Sequence, residues 1–177
     1  ERYDRELRDI FALQDEITVK IISALNVKLL TGEKLAAQNA RRGTKNLLAY
    51  LKYMESNHYF LRGTPDDYAL ARKLSEEAIA LDPEYPPPYL VLAYTHILDA
   101  MLGTSKSPRT SIGNAFKLAK KVVAMDESDA TGHSILGIVY RFKGEYEKAI
   151  AEAERAVALD PNYAKGYMDL AHSLIQA

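Results

Sequence analysis

Apolar and polar residues alternate along this chain at helical spacing, and the stretch from 130 to 163 shows the pattern most fully. There Leu136, Gly137, Tyr140, Ala149, Ile150, Ala153, Ala156 and Leu159 fall into two apolar stripes, separated by a turn at Gly144. Side chains three and four residues apart share one face of a helix, so the pattern predicts a helical hairpin. Helix A is expected near 130–143 and helix B near 146–159. Gly137 and Ala149 are small enough for the two backbones to approach closely, and Tyr140 fills the space beside them. Pro161 cannot continue helix B, because it lacks an N–H and its ring clashes with the preceding turn.

The hairpin is written more than once. "EEAIALDPEY" at 76–85 returns as "ERAVALDPNY" at 154–163, and a weaker copy, "KKVVAMDESD", stands at 120–129. The last two copies are 34 residues apart, whereas the outer two are 78 apart, which is two periods of 34 plus ten inserted residues. Recurrence at a fixed period of this size is the signature of a repeat architecture.

With small residues at Gly137, Ala149 and Ala156 and a proline at Pro161, the 130–163 unit resembles the tetratricopeptide repeat. The resemblance implies an all-α, right-handed superhelical solenoid of antiparallel helix pairs. Units are expected at about 46–85, 86–129 and 130–163, with a partial fourth at 164–177 that restarts helix A through Tyr167, Leu170, Ala171 and Leu174. In the second unit the ten extra residues fall near 102–111, with Ser107 as a helix N-cap and Pro108 at the first helical position. The insertion then reads as a longer helix A, a loop around Gly103 to Lys106 and an early start to helix B. Glu127 stands where proline would be, which predicts a weaker stop.

Residues 1–45 do not follow the repeat. Leu7, Ile10, Phe11, Ile17, Ile21, Ile22, Leu25 and Leu29 make one broad apolar face of a long amphipathic helix, opposite Arg8, Asp15, Glu16 and Lys20. A linker, "TGEKLAAQNARRGTKN", follows at 31–46. "ERYDRELRDIFALQDEIT" at 1–18 resembles the junction in bacterial signalling proteins where a TolB-like domain ends and a tetratricopeptide array begins. That resemblance implies an array serving an adenylate or guanylate cyclase domain or a winged-helix domain in a larger protein. The start at Glu1, with no methionine or leader, fits an excised piece.

Composition narrows the function. The 23 Lys and Arg nearly balance 24 Asp and Glu, for a net charge of −1, so the electrostatic footprint of a nucleic-acid binder is missing. Zero cysteines remove disulfides and thiolate chemistry and leave the compartment open. The most apolar run, "IISALNVKLL" at 21–30, carries Asn26 and Lys28 and does not reach the roughly 18 apolar residues of a membrane span. His58, His96, His133 and His172 form no pair at ligand spacing, so neither metal nor cofactor is expected. Adjacent carboxylates such as Asp15 with Glu16 diverge by roughly 100° on a helix, and no phosphate cradle or nucleophile turn follows a strand. Catalysis is not expected.

What remains is shape. The tetratricopeptide resemblance implies a concave groove lined by the A helices, bearing Tyr50, Tyr53, Asn57 and Phe60 from the first unit and Leu90, Tyr94, Ile97 and Leu98 from the second. The third adds Ser134, Ile138, Arg141 and Phe142, and the fourth Lys165, Met168, His172 and Gln176. Such a groove suits an apolar peptide or an amphipathic helix of a partner protein, since desolvating it supplies about 25 cal/mol per Å². Arg141 is the expected exposed polar contact, suited to a partner carboxylate. The alternative is a structural element that dimerises through the amino-terminal helix and the open ends of the solenoid.

Overall fold

The computed structural model describes residues 43–177; the expected amino-terminal helix and most of the linker lie outside them. The described residues form seven helices in antiparallel succession: α1 (Leu47–Arg62), α2 (Pro65–Leu81), α3 (Pro86–Leu102), α4 (Pro108–Met125), α5 (Ala130–Phe142), α6 (Tyr146–Leu159) and α7 (Ala164–Gln176). Three hairpins, α1/α2, α3/α4 and α5/α6, stack in chain order, and α7 begins a fourth. The fold is an all-α repeat solenoid.

Each hairpin closes where a helix pair can come nearest. A Cβ added to Gly137 would sit 3.1 Å from the Ala149 carbonyl oxygen and 3.5 Å from the Ala153 nitrogen. Ala149, Ala153 and Ala156 of α6 are fully buried. In the second hairpin Ala93, Ala115 and Ala119 are fully buried. In the first, the small position is Ser56, whose hydroxyl donates to the Ala71 carbonyl at 2.7 Å and shares a 2.7 Å hydrogen bond with Ser75. Gly63, Gly103 and Gly144 take the left-handed conformation that reverses the chain between paired helices.

The ten-residue insertion lengthens the second hairpin evenly. Helix α3 has 17 residues against 13 in α5, α4 has 18 against 14 in α6, and five residues rather than three join them. Ser107 caps α4, its side chain accepting from the Thr110 N–H, with Pro108 at the first turn.

The expected weakening of the stop at Glu127 does not occur, because the aspartate before the proline position makes the turn. The side chains of Asp82, Asp126 and Asp160 each accept a hydrogen bond from the N–H two residues on, at 3.2, 2.9 and 3.1 Å, and their carbonyls accept from Tyr85, Asp129 and Tyr163. An aspartate side chain that holds its own backbone in a turn needs no proline. Asn46 caps α1, and its amide donates to the Leu81 carbonyl at 2.9 Å, while Thr44 donates to Asp82; together they tie the start of the solenoid to the end of α2.

Candidate functional site

Successive first helices of the hairpins touch one another, α1 with α3, α3 with α5 and α5 with α7, whereas the second helices make no comparable contact. The stack therefore curves toward the first helices, and α1, α3, α5 and α7 line its inner face.

Aromatic rings run along that face. Tyr53 meets Tyr85 edge to face at 5.6 Å, and Phe60 lies 5.9 Å from Tyr68 and 6.0 Å from Tyr94. The Tyr94 hydroxyl shares a 3.2 Å hydrogen bond with that of Tyr163, at the entry to α7. Burial, and then the neighbouring Tyr163, holds the Tyr94 phenol well above its usual range. Burial likewise raises the Tyr85 phenol, with Tyr53 adding to the effect. Both hydroxyls therefore stay neutral, and that of Tyr94 acts as a hydrogen-bonding group rather than a base.

Toward the carboxy-terminal end the face becomes polar. Asp169 is 2% exposed, accepts a hydrogen bond from the fully buried Ser134 and receives Lys165 Nζ at 3.2 Å on each carboxylate oxygen. The same ammonium lies 5.0 Å from the centroid of the Tyr94 ring. Tyr94 of α3, Ser134 of α5 and Lys165 with Asp169 of α7 thus link three successive inner helices.

The residues expected in the groove divide by burial. Tyr50, at 37%, Met168, at 49%, and His172 are exposed, as are Phe142 and Gln176. Tyr53, Asn57, Phe60, Leu90, Tyr94, Leu98, Arg141 and Lys165 are half-buried. Ile97, Ser134 and Ile138 are between 0 and 4% exposed: the two isoleucines belong to the core cluster, and Ser134 holds Asp169. These three position the inner face and are closed to a partner. Arg141 departs from the expected exposed contact: its Nε is buried without a hydrogen-bond partner, and its guanidinium lies 5.8 Å from the Phe142 ring centroid. Asp169 and Tyr163 escaped the sequence reading because both stand at positions where repeat spacing implies packing. The apolar positions around Asp169 could have marked it, since a lone carboxylate there requires a buried partner.

His133 bridges α5 to α6 instead of awaiting a ligand, with Nδ1 2.7 Å from Glu152 and Nε2 3.1 Å from the Glu127 carbonyl. Among the described residues, no cluster of His, Cys, Asp and Glu could hold a metal ion, and no helix is long and apolar enough to cross a membrane.

Comparison with known proteins agrees with this geometry. The tetratricopeptide repeat family matches residues 130–163. A curated protein of Rhizobium meliloti (strain 1021), named "Putative adenylate cyclase 3", is 32% identical over 156 residues, which cover 88% of this chain and 26% of that protein. The chain thus spans about a quarter of the length of that relative. Among solved structures, the tetratricopeptide domain of Arabidopsis OM64 superposes with a TM-score of 0.60 at 14% identity, covering 73% of this chain and 97% of that one. The first such domain of Spaghetti (RPAP3), bound to the HSP90 peptide SRMEEVD, gives 0.60 at 19% identity and covers 75% and 94%. Three hairpins closed by small residues, an inner face of first helices and these matches make the described part of this chain a tetratricopeptide-repeat domain.

Proposed function

We propose that the inner face is a preformed groove that holds a peptide or helix of a partner protein. A tetratricopeptide fold is generally a non-catalytic interaction module, and the RPAP3 domain of the same fold was solved with a peptide bound. The observation that carries the reading is the pair of aromatic contacts at the inner face, Tyr53 with Tyr85 and Phe60 with Tyr94, the second leading on to Lys165, flanked by the exposed Tyr50, Met168 and His172. Rings already fixed by their neighbours lose little freedom on binding, so more of the contact energy appears as affinity. Half-buried Asn57, Leu90 and Arg141 complete the lining. The groove differs from a simple cationic clamp, because Asp169 already engages Lys165.

By its likeness to part of the Rhizobium protein, the domain serves a larger bacterial signalling protein with a cyclase output, and has no catalytic activity of its own. Photo-crosslinking residues placed at Tyr50, Met168 and, on an outer helix, Glu154 of the full-length protein test the groove. One partner segment crosslinked from Tyr50 and Met168 and absent from Glu154 is the expected result; equal crosslinking from all three overturns it.

Self-association is the second reading, favoured by the outer edge of α7, where Tyr167, Leu174 and Ile175 are 49, 57 and 81% exposed. A dimer in sedimentation that is split by Leu174→Glu with Ile175→Glu supports it, and a monomeric parent dismisses it.

A further inference from the structure

Where α3 and α5 end and α4 begins lies a second concavity of about 720 Å³, and Phe142, expected in the groove, lines it. Its apolar floor is made by Ala100, Ile112, Gly113, Phe116 and Phe142. Phe142 is 44% exposed, and beside the cleft on α3 Met101 and Leu102 are 57 and 55% exposed. The polar residues of its lining are Arg109, Lys117 and Lys143, with no carboxylate among them.

That charge is a property of one helix. From Pro108 to Met125, α4 carries Arg109, Lys117, Lys120 and Lys121 and not a single acid, in a chain whose net charge is −1. Helix α6, its counterpart in the next hairpin, carries Glu147, Glu152 and Glu154 beside Lys148 and Arg155. Among the described residues, Arg109, Lys117 and Lys120 have no carboxylate within ion-pair distance, while Lys143 pairs with Glu145 at 2.8 Å. Lys120 and Lys143 lie 5.7 and 4.8 Å from the Phe116 ring centroid, so cations surround the aromatic floor.

Gly113 is the third observation. It stands in the middle of α4, at an exposed position where an added Cβ would meet nothing within 4 Å. Glycine inside a helix costs stability relative to alanine, and nothing packed here requires it. Its effect is to keep the cleft open.

We propose that this cleft docks an acidic amphipathic segment of a partner protein, with one bulky apolar side chain seated over Gly113 and Phe116 and carboxylates facing Arg109, Lys117 and Lys120. An apolar anchor in a pocket with complementary charge at its rim is how short segments combine affinity with register. Apart from Phe142 the cleft shares no residue with those expected in the inner groove, and it stands or falls without that groove.

The test is fluorescence anisotropy of the intact chain with a labelled synthetic helix that carries Glu and Asp on its polar face and Leu and Phe on the other. Binding should weaken as salt rises. Arg109→Glu with Lys117→Glu should weaken it at least about tenfold, as loss of rim charge pairs does. Gly113→Leu should weaken it about as much by filling the pocket, while the thermal midpoint holds or rises. Tyr50→Ala, in the inner groove, should leave it unchanged. The proposal is overturned if the two cleft variants bind like the parent or if a charge-reversed basic peptide binds equally well. It is also overturned if the acidic peptide fails to bind while phosphatidylserine vesicles or duplex DNA bind in an Arg109- and Lys117-dependent manner.

Discussion

The first and third hairpins close at the same point of the repeat by opposite chemistry. Between α5 and α6 the contact is bare backbone, with Gly137 facing the Ala149 carbonyl and the Ala153 nitrogen across a gap that a Cβ would nearly fill. Between α1 and α2 it is Ser56, completely buried, whose hydroxyl is satisfied by Ala71 and Ser75. Repeat spacing demands a small residue at this position. Whether it carries a polar atom is decided by the facing helix, since a buried hydroxyl is tolerated only where an acceptor stands opposite.

Breaking the bare contact should have the largest effect. Gly137→Leu drives a side chain into main-chain atoms that cannot swing aside and should cost about 3 kcal/mol, the upper end of overpacking penalties. Urea denaturation, read as a lower midpoint with an unchanged slope, measures it. Stability equal to the parent would mean that α6 can slide, and that the glycine is not what sets the spacing.

The polar contact should fail more gently and in a way that reveals its partner. Ser56→Ala leaves the Ser75 hydroxyl buried without its mate and should cost about 1–2 kcal/mol. Adding Ser75→Ala removes the orphan, so the double variant should be less destabilised than the sum of the singles. Additive losses would show that the two hydroxyls act independently.

Two smaller tests address how each hairpin is stopped and tied. The side chain of Asp160 accepts from the Asn162 N–H, so Asp160→Ala should cost about 0.5–1.5 kcal/mol, as for one net hydrogen bond. Pro161→Ala should cost less, because the second hairpin makes the same turn with Glu127 in that place. The reverse order in thermal unfolding would return the stop to proline.

The smallest effect belongs to Lys52, which meets Glu77 at 2.8 Å across α1 and α2 on a partly exposed surface. The hydrogen bond from Lys52 lowers the Glu77 pKa below its ordinary 4.5. A carboxylate depressed in the folded state adds stability above pH 4.5, which is lost as pH falls through the lower folded value. Solvent screening limits the gain to about 0.5 kcal/mol. Lys52→Met should therefore narrow the stability difference between pH 7 and pH 3 by about that much; an unchanged difference would remove the pair from the account.

Much of the fold was legible because its causes are local. Helical spacing, the Ser107 cap with Pro108 behind it, and the small residues at Gly137 and Ala149 can each be read within a few turns of chain. The distribution of the insertion was legible too, since a cap and a left-handed glycine mark both of its ends. The turn after α4 was misread: Glu127 replaces the conspicuous proline there, yet Asp126 supplies the hydrogen bonds. The site was legible only as a list of positions. The tetratricopeptide resemblance implied Ile97 and Ile138 on the inner face, as it did Tyr94, and could not show that packing buries the isoleucines and leaves Tyr94 half-buried.

By itself, then, the sequence determined the period, the helix pairing and the points of closest approach, since these follow from side-chain size and backbone hydrogen bonding over one repeat. Tertiary structure alone decided which inner-face residues stay open, that Asp169 would neutralise Lys165, and that Arg109 and Lys117, with no carboxylate near them among the described residues, would border an apolar cleft. Those outcomes depend on what the next hairpin brings opposite each side chain, and burial and charge pairing are properties of that meeting, held by neither partner before the helices stack.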